Sequence, residues 1–594
     1  MKDTLDLSRN ALRVLEARYL LRDGQRRVIE TPAQLFERVA TAIAQAEEAF
    51  GSPKERSYWA DRFHGLLTSR DFIPNSPTLM NAGTALGQLS ACFVLPIEDT
   101  MESIFEAVKQ MALVQRTGGG TGFAFSALRP RGDTVASTGG EASGPVSFMK
   151  IFDCATEHIK QGGKRRGANM GVLRVEHPDI MEFVAAKLER GSLSNFNTSV
   201  SVSDVFMEAA ARNASYELIH PRTGKQAGRL NAGEVFRAIA EAAWQTGDPG
   251  LVFRDAINRA NPTPQLGAIE ATNPCGEVPL LPYESCNLGS VNLAHLVREA
   301  AGAATFDWQR LETIVGDAVR FLDDVIEVNC YPLPSIEQMT RRTRKIGLGV
   351  MGFAEALIRL GIGYDSDEAA GFAERLMRAV AEAATRASVA LAERRGVFPA
   401  WQGSVYDARG LRIHNATCTA IAPTGTIGII AGTSASIEPL FALAYRRTGV
   451  LDGQIMDEVN PLFVEYVGRH GLDTDRLLTA VRERGRLADV PGVPEDLKRL
   501  LVTALDIPAE RHLAIQAAFQ RHVDNSVSKT INLPPDATPD AVASAYRRAW
   551  ELGLKGITIY RYGSKPAQVL ELGVEDEPHH YEHASRCDPE ECRI

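Results

Sequence analysis

The chain is poor in cysteine, in long apolar runs and in positive charge. Eight cysteines are scattered over 594 residues, too sparse for the disulfide framework of a small secreted domain; any disulfide is expected to be transient and catalytic, in a cytosolic setting. No apolar stretch reaches the ~18 residues that a membrane-crossing helix needs, so no membrane partner is expected. Acids at Asp3 and Asp6 stand where a secretory leader carries its apolar block, which points to a cytoplasmic protein. The net charge of −9 argues against binding to nucleic acid through its phosphate backbone. No internal repeat is present. What remains is a composition of 44% hydrophobic and 23% charged residues, ordinary for a globular protein and long enough for a large core.

Helical signals dominate residues 1–70. Thr31-Pro32 reads as an N-cap followed by proline at the first helical position, and Leu35, Val39, Ile43 and Phe50 continue an apolar face. A second clear helix is predicted from about Ser366 to Arg395, with Phe372, Leu376 and Val380 inward and Gly396 as its stop. Short β-like runs at 198–202, 345–350 and 556–560 alternate with helical stretches, which predicts a largely parallel α/β sheet within residues 71–565. The segment 449–510 reads as a helical, proline-punctuated peripheral insertion. Residues 566–594 form a tail; from Glu571 it is acidic, rich in histidine and poor in apolar side chains, the composition of a flexible arm.

The strongest chemical signal is Asn273-Pro274-Cys275-Gly276-Glu277, with Cys286 eleven residues beyond Cys275. A nucleophilic cysteine needs a basic partner, and here the neighbours are an amide and a carboxylate. The carboxylate opposes a thiolate because like charges repel. It does not oppose a neutral thiol that gives up a hydrogen atom, and Glu277 is then free to act as a base on a substrate hydroxyl. A structural cysteine in a tight turn is the competing reading. Cys92, in Ser90-Ala91-Cys92, reads by itself as a small buried hydrophobe. The glycines of Thr117–Phe123 allow close backbone approach, but their spacing is neither a Rossmann nor a phosphate-loop pattern. In Ala422-Pro423-Thr424-Gly425-Thr426-Ile427-Gly428, a glycine- and threonine-rich turn can aim backbone N–H groups and hydroxyls at an anion, or it can be an ordinary strand-to-helix turn. In the tail, Cys587 and Cys592 have three histidines (His579, His580 and His583) close by. They read as a travelling dithiol, as zinc ligands, or as inert.

Taken together, SPTLMNAG (76–83), SAC (90–92), GGGTGFAFS (118–126), KRRGANMGVL (164–173), NPCGE (273–277), APTGTIG (422–428), FQRHVDNSVSKTINLP (519–534) and KGITIYRYGS (555–564) resemble a ribonucleotide reductase catalytic subunit, most closely the class II, adenosylcobalamin-dependent kind. The resemblance covers roughly residues 70–565. It implies a ten-stranded α/β barrel with an N-terminal helical region. It also implies Cys275 as the thiyl radical that takes the substrate's 3′ hydrogen, Glu277 as the acceptor of the 3′-hydroxyl proton and Asn273 as an orienter. Cys92 and Cys286 are then the reductants that end as a disulfide. Ser76, Ala91, Gly120, Pro274 and Gly276 join the substrate site, with Pro423, Thr424, Gly425, Thr426 and Ile427 at the phosphates. Cys587 and Cys592 are implied to pass oxidation to thioredoxin or a similar reductant.

Class II is preferred to class I, whose catalytic subunit needs a separate metallo-radical partner, because the segment before the barrel leaves little room for an ATP-binding cone. Tyr560-Arg561-Tyr562 also stands where class I shows an adjacent tyrosine pair. A glycyl-radical motif, the mark of class III, is absent. So is the Asp-x-His-x-x-Gly pattern that supplies a lower axial histidine in some cobalamin proteins, and no metal ligand set is predicted. The family binds a ribonucleoside di- or triphosphate substrate and a deoxynucleotide effector. Asp99 and Arg129 fall where effector contacts are expected, Leu188–Asn197 where a loop links effector to substrate, and a homodimer is implied.

Overall fold

The computed structural model describes residues 5–135, 139–161, 165–189, 191–300, 302–451, 454–565 and 570–573. The chain opens in helices whose starts are fixed by their own side chains. Helix α1 (Arg9–Arg18) is capped by Ser8, whose hydroxyl accepts from the Ala11 N–H. Helix α2 (Pro32–Ala44) begins with a reciprocal capping box between Thr31 and Gln34, and α3 (Pro53–Thr68) with one between Ser52 and Glu55. Each turns one apolar stripe inward, as with Leu35, Phe36, Val39 and Ile43 of α2. They share a core with the two long helices α4 (Trp308–Val328) and α5 (Asp367–Arg395). Helix α5 starts after its N-cap Ser366 and stops at Gly396, with Phe372, Leu376 and Val380 buried, as its periodicity predicts.

A single sheet of ten strands supplies the scaffold. Strand β1 (Phe72–Pro74) leads in along an edge. Strands β2 (Cys92–Val94), β3 (Gly120–Ala124), β4 (Asn169–Arg174), β5 (Phe196–Val202) and β6 (Gly250–Phe253) then pair in sequence, all parallel. The chain next makes a short hairpin, β7 (Ala271–Thr272) against β8 (Pro279–Leu280). The second half follows: β9 (Ser285–Asn292) is parallel to β10 (Ile346–Met351), and β11 (Thr530–Leu533) to β12 (Gly556–Arg561). Parallel bridges Leu348↔Thr419 and Ile421↔Val527 connect these two pairs. The halves meet antiparallel at β2–β9 and at β6–β12, so the sheet closes into a barrel.

The sheet is thus largely parallel, as expected, and antiparallel where β1 meets β9 and at the two seams between the halves. A parallel neighbour needs a long crossover. Between the halves the chain enters the β7–β8 hairpin instead and returns as β9, running against β2.

The hairpin lies inside the barrel. Ala271, Val278 and Leu280 share a small apolar cluster with Met170 and Val172 of β4, Leu288 of β9, and Ala420. Gly122 makes room for it: a Cβ there would lie 1.7 Å from the Thr272 carbonyl oxygen, so no other residue fits this turn of β3.

The segment 449–510 is not helical from its start. Ala444–Leu451 and Gln454–Val459 form an antiparallel pair, and the first of these also pairs with Leu570–Leu572. That pairing joins chain segments more than a hundred residues apart, so local periodicity carries no trace of it. The helices that follow, Pro461–Arg469, Thr474–Arg484 and Glu495–Leu500, bury Phe463, Leu477, Val481 and Leu497 in the large core. Among the described residues, no helix is long and apolar enough to cross a membrane.

Candidate active site

The hairpin tip carries the Asn273–Glu277 motif into the barrel. It is a tight turn: the Gly276 N–H donates to the Asn273 carbonyl at 3.1 Å, and the Val278 N–H to Asn273 Oδ1 at 3.0 Å. Gly276 takes the left-handed φ of +79° that the turn requires. Two outside contacts fix the tip. Asn197 of β5 donates to the Pro274 carbonyl at 2.8 Å, and the Ser526 N–H donates to the Glu277 carbonyl at 2.8 Å.

At the tip Asn273 Nδ2 donates to Glu277 Oε2 at 2.7 Å and lies 3.2 Å from Cys92 Sγ. Cys92 Sγ lies 3.9 Å from Glu277 Oε1. Amide, carboxylate and thiol thus form one connected group, and all three residues are buried. Cys275 differs: its side chain is exposed.

Cys92 on β2 and Cys286 on β9 are direct cross-strand partners at the antiparallel seam. Their side chains share a face of the sheet at the separation where such pairs touch, and both are free thiols here. Burial, aided by the Glu277 charge, pushes the Cys286 thiol far above its usual range, so it stays protonated. The sequence links these two cysteines only through the family resemblance; the strand register supplies the physical reason.

A cavity of about 240 Å³ gathers Cys92, Asn273, Cys275 and Glu277 with most of the other expected substrate contacts. Ser76, Ala91, Gly120 and Pro274 line it, as does the run Pro423–Ile427. Of that run, Thr424 caps helix α6 (Gly425–Ala431) from a left-handed conformation, φ +50°. Its hydroxyl accepts from the Ser436 N–H at 2.6 Å. Gly276 lines a neighbouring cavity instead.

That second cavity, of about 490 Å³, shares Pro274, Cys275 and Pro423 with the first. The exposed thiol therefore sits in the wall between the two chambers. Its far walls carry cations the sequence reading did not single out. Lys529 bonds Glu438 at 2.6 Å and His512 Nδ1 at 3.1 Å. Lys565 lies 3.5 Å from Asp248. Lys555 donates to the Asp524 and Asn525 carbonyls, and burial lowers its ammonium to about 8. Lys529 and Lys555 stand inside the KTINLP and KGITIY blocks, and Lys565 just beyond the second.

Asp99 and Arg129 are brought together away from the cavities. Arg129 Nε donates to Asp99 Oδ2 at 2.8 Å, and its backbone N–H to Oδ1 at 3.0 Å. Cys587 and Cys592 lie outside the described residues, and so does part of the 188–197 loop. Two residues lining the first cavity, Arg18 and Tyr19, were missed in the sequence; their amphipathic helix looked merely structural.

A closed barrel with a cysteine-tipped hairpin in its lumen and a thiol pair at a strand seam defines a class of thiol-based enzyme working on a ligand held inside the barrel. Comparison with known families narrows this. The profile of the ribonucleotide reductase all-alpha domain matches residues 5–87, and that of the ribonucleotide reductase barrel domain matches residues 90–560. The chain belongs to the ribonucleotide reductase family. It is 53% identical over 571 residues to a vitamin B12-dependent ribonucleoside-diphosphate reductase of Mycobacterium tuberculosis H37Rv, covering 96% of this chain and 80% of that one. The enzyme of the same description from Thermoplasma acidophilum is 50% identical over 628 residues, covering 96% and 81%. Among solved structures, the class Id ribonucleotide reductase alpha subunit of Actinobacillus ureae superposes with a TM-score of 0.76 at 24% identity, covering 94% and 97% of the two chains; that likeness speaks for the fold alone.

Proposed function

We propose that the chain reduces ribonucleoside diphosphates to 2′-deoxyribonucleoside diphosphates by thiyl-radical chemistry, and that its radical source is adenosylcobalamin, in keeping with the names of its relatives. The observation that carries this reading is the convergence of Asn273, Cys275, Glu277 and Cys92 on one cavity, with Cys286 in register behind Cys92.

Cys275, as a thiyl, takes the 3′ hydrogen atom of the substrate. Glu277, held by the Asn273 amide, accepts the 3′-hydroxyl proton. Cys92 and Cys286 deliver two electrons and two protons; the 2′-hydroxyl leaves as water and the thiols close to a disulfide. Cys275 then returns its hydrogen atom to the 3′ carbon, so each turnover consumes one ribonucleotide and one thiol pair. The elevated Cys286 thiol suits a group that must bring its proton along with its electron.

The second cavity fits the cofactor in its chemistry. It is open to the Cys275 side chain and large enough for a substantial ligand. Its walls offer Ser528, Thr558, Asn532 and Lys565 to hold the amide-rich rim of a corrin. When bound, adenosylcobalamin supplies, by homolysis of its cobalt–carbon bond, the radical equivalent that converts the Cys275 thiol to a thiyl. We further assign the Asp99–Arg129 pair to a deoxynucleotide effector in a homodimer. The tail cysteines, Cys587 and Cys592, are assigned to relaying electrons from thioredoxin or a similar donor.

The test is reduction of CDP with dithiothreitol, with and without adenosylcobalamin. Turnover is expected only with the cofactor. Turnover that instead requires a separate metallo-radical subunit overturns the assignment of the radical source.

A further inference from the structure

The substrate cavity is nearly free of charge. Among the described residues lining it, one carries a negative charge, Glu277, and one a positive charge, Arg18. Glu277 belongs to the hairpin wall, beside the thiols. Arg18 is the last residue of α1, a helix of the N-terminal region that packs against α6, on the wall formed by the Pro423–Ile427 turn.

Several arginines elsewhere in the chain are matched with carboxylates, among them Arg38 with Glu30, Arg310 with Asp71 and Arg254 with Glu176. Arg18 is half-buried and has no hydrogen-bond or ion-pair partner among the described residues. Leaving a partly desolvated guanidinium without an anion is costly, unless the anion arrives with a ligand.

The surroundings of Arg18 point the same way. Tyr19, the next residue, is buried, and its hydroxyl hydrogen-bonds Ser76 Oγ at 2.7 Å, which fixes the end of α1 against the cavity. Two more groups in the wall of the cavity have unused donors. Asn75 Oδ1 accepts from the Thr78 N–H at 3.0 Å, and its buried Nδ2 has no acceptor; the hydroxyl of buried Ser290 has no partner either. Asn75 and Ser290 are close, because β1 pairs with β9 through Ile73↔Ser290. The wall of the cavity thus holds a guanidinium and two unsatisfied donors, a set that an anion would complete.

We propose that Arg18 pairs with the terminal phosphate of the substrate, so that the N-terminal helical region completes the active site of the barrel. The inference rests on the reading of the substrate as a ribonucleoside diphosphate. A guanidinium fits a phosphate through paired N–H donors, and the terminal phosphate carries the most charge to neutralise. Asn75 and Ser290 supply neutral donors alongside.

The experiment is isothermal titration of the full chain with CDP and with CMP, for the native protein and for Arg18→Ala and Arg18→Lys, with KM and kcat for CDP measured on the same preparations. In Arg18→Ala the preference for CDP over CMP falls about 10- to 100-fold, the range of a charge-assisted contact. KM for CDP rises by a similar factor, and kcat at saturating CDP stays within about threefold. Arg18→Lys recovers part of the preference, and thermal unfolding verifies that each variant folds. An unchanged CDP:CMP ratio in Arg18→Ala overturns the proposal, as does an equal loss for both ligands. If the native protein binds neither nucleotide, it is the diphosphate-reductase reading that fails.

Discussion

Two regions of this molecule handle charge in opposite ways. Behind the barrel, Glu47, Arg320, Asp323, Asp324, Arg344 and Arg395 form a closed, buried ionic cluster. Arg395 reaches Glu47 at 2.8 Å, Asp323 at 2.6 Å and Asp324 at 2.7 Å. Glu47 is held on its other side by Arg320 at 2.6 Å, and Asp323 by Arg344 at 2.8 Å. The two cations nearest the N-terminal helices also lie over aromatic rings, Arg320 over Trp59 and Arg395 over Phe50, each at 4.2 Å. The substrate cavity has only Glu277 and Arg18 to set against this. The cluster ties the N-terminal region, through Glu47, to α4 and to the end of α5. The cavity carries one carboxylate, Glu277, beside its thiols and one guanidinium, Arg18, and on the proposed function that sparing charge suits a thiol that loses a hydrogen atom rather than a proton.

The sharpest way to break this comparison is Cys275→Ser. An alcohol O–H does not yield its hydrogen atom as a thiol does, so turnover should vanish while the thermal unfolding midpoint stays within about 2 °C of the native value, since Cys275 is exposed. Multiple turnovers by this variant would remove the thiol from the reaction. The next largest effect belongs to the cluster. Arg395→Met strands Asp324 and takes one cation each from Glu47, which keeps Arg320, and Asp323, which keeps Arg344, and stability in denaturant titration should fall by about 3–5 kcal/mol. A loss below about 1 kcal/mol would mean that the cluster does not hold the two regions together.

The smallest effect concerns cations placed differently in the two regions. In the cluster, three carboxylates around Arg395 raise its already high value. At the second chamber, burial lowers Lys555 from 10.5 to about 8. The unfolded chain therefore binds the Lys555 proton more tightly than the folded one. Below pH 8 both states carry the proton and the folded protein bears the full cost of the buried charge. Between about pH 8 and 10.5 the folded state sheds it and that cost fades. The stability of the native protein relative to Lys555→Met should thus rise with pH across this window and stay flat from pH 6 to 8. A flat difference throughout would show that Lys555 titrates normally.

Much of this was legible in the sequence, and the exceptions have a common physical cause. Helices announced by caps, such as Thr31-Pro32 for α2 and Ser366 with Gly396 for α5, stand where expected, because capping is local. The NPCGE motif stood out as a candidate site because it sets three unlike functional groups on one short turn, and the structure brings it into the cavity. The two antiparallel seams, the strand pairing of Ala444–Leu451 with Leu570–Leu572, and the wall formed by Arg18 and Tyr19 were not legible. Each depends on residues far apart in the chain meeting in space. The Cys92–Cys286 juxtaposition is of the same kind; family likeness supplied it before the strand register could.

The shared wall of Pro274, Cys275 and Pro423 has a consequence for what can change in such a protein. On the proposed function, the occupants of the two cavities need not meet, because the radical passes between them through the Cys275 sulfur in the shared wall. On that reading the second cavity can be reshaped for another source of radicals without disturbing the first, and the first can be retuned for other bases without disturbing that source; the tip of a single hairpin then makes the two halves of the proposed reaction separately adjustable.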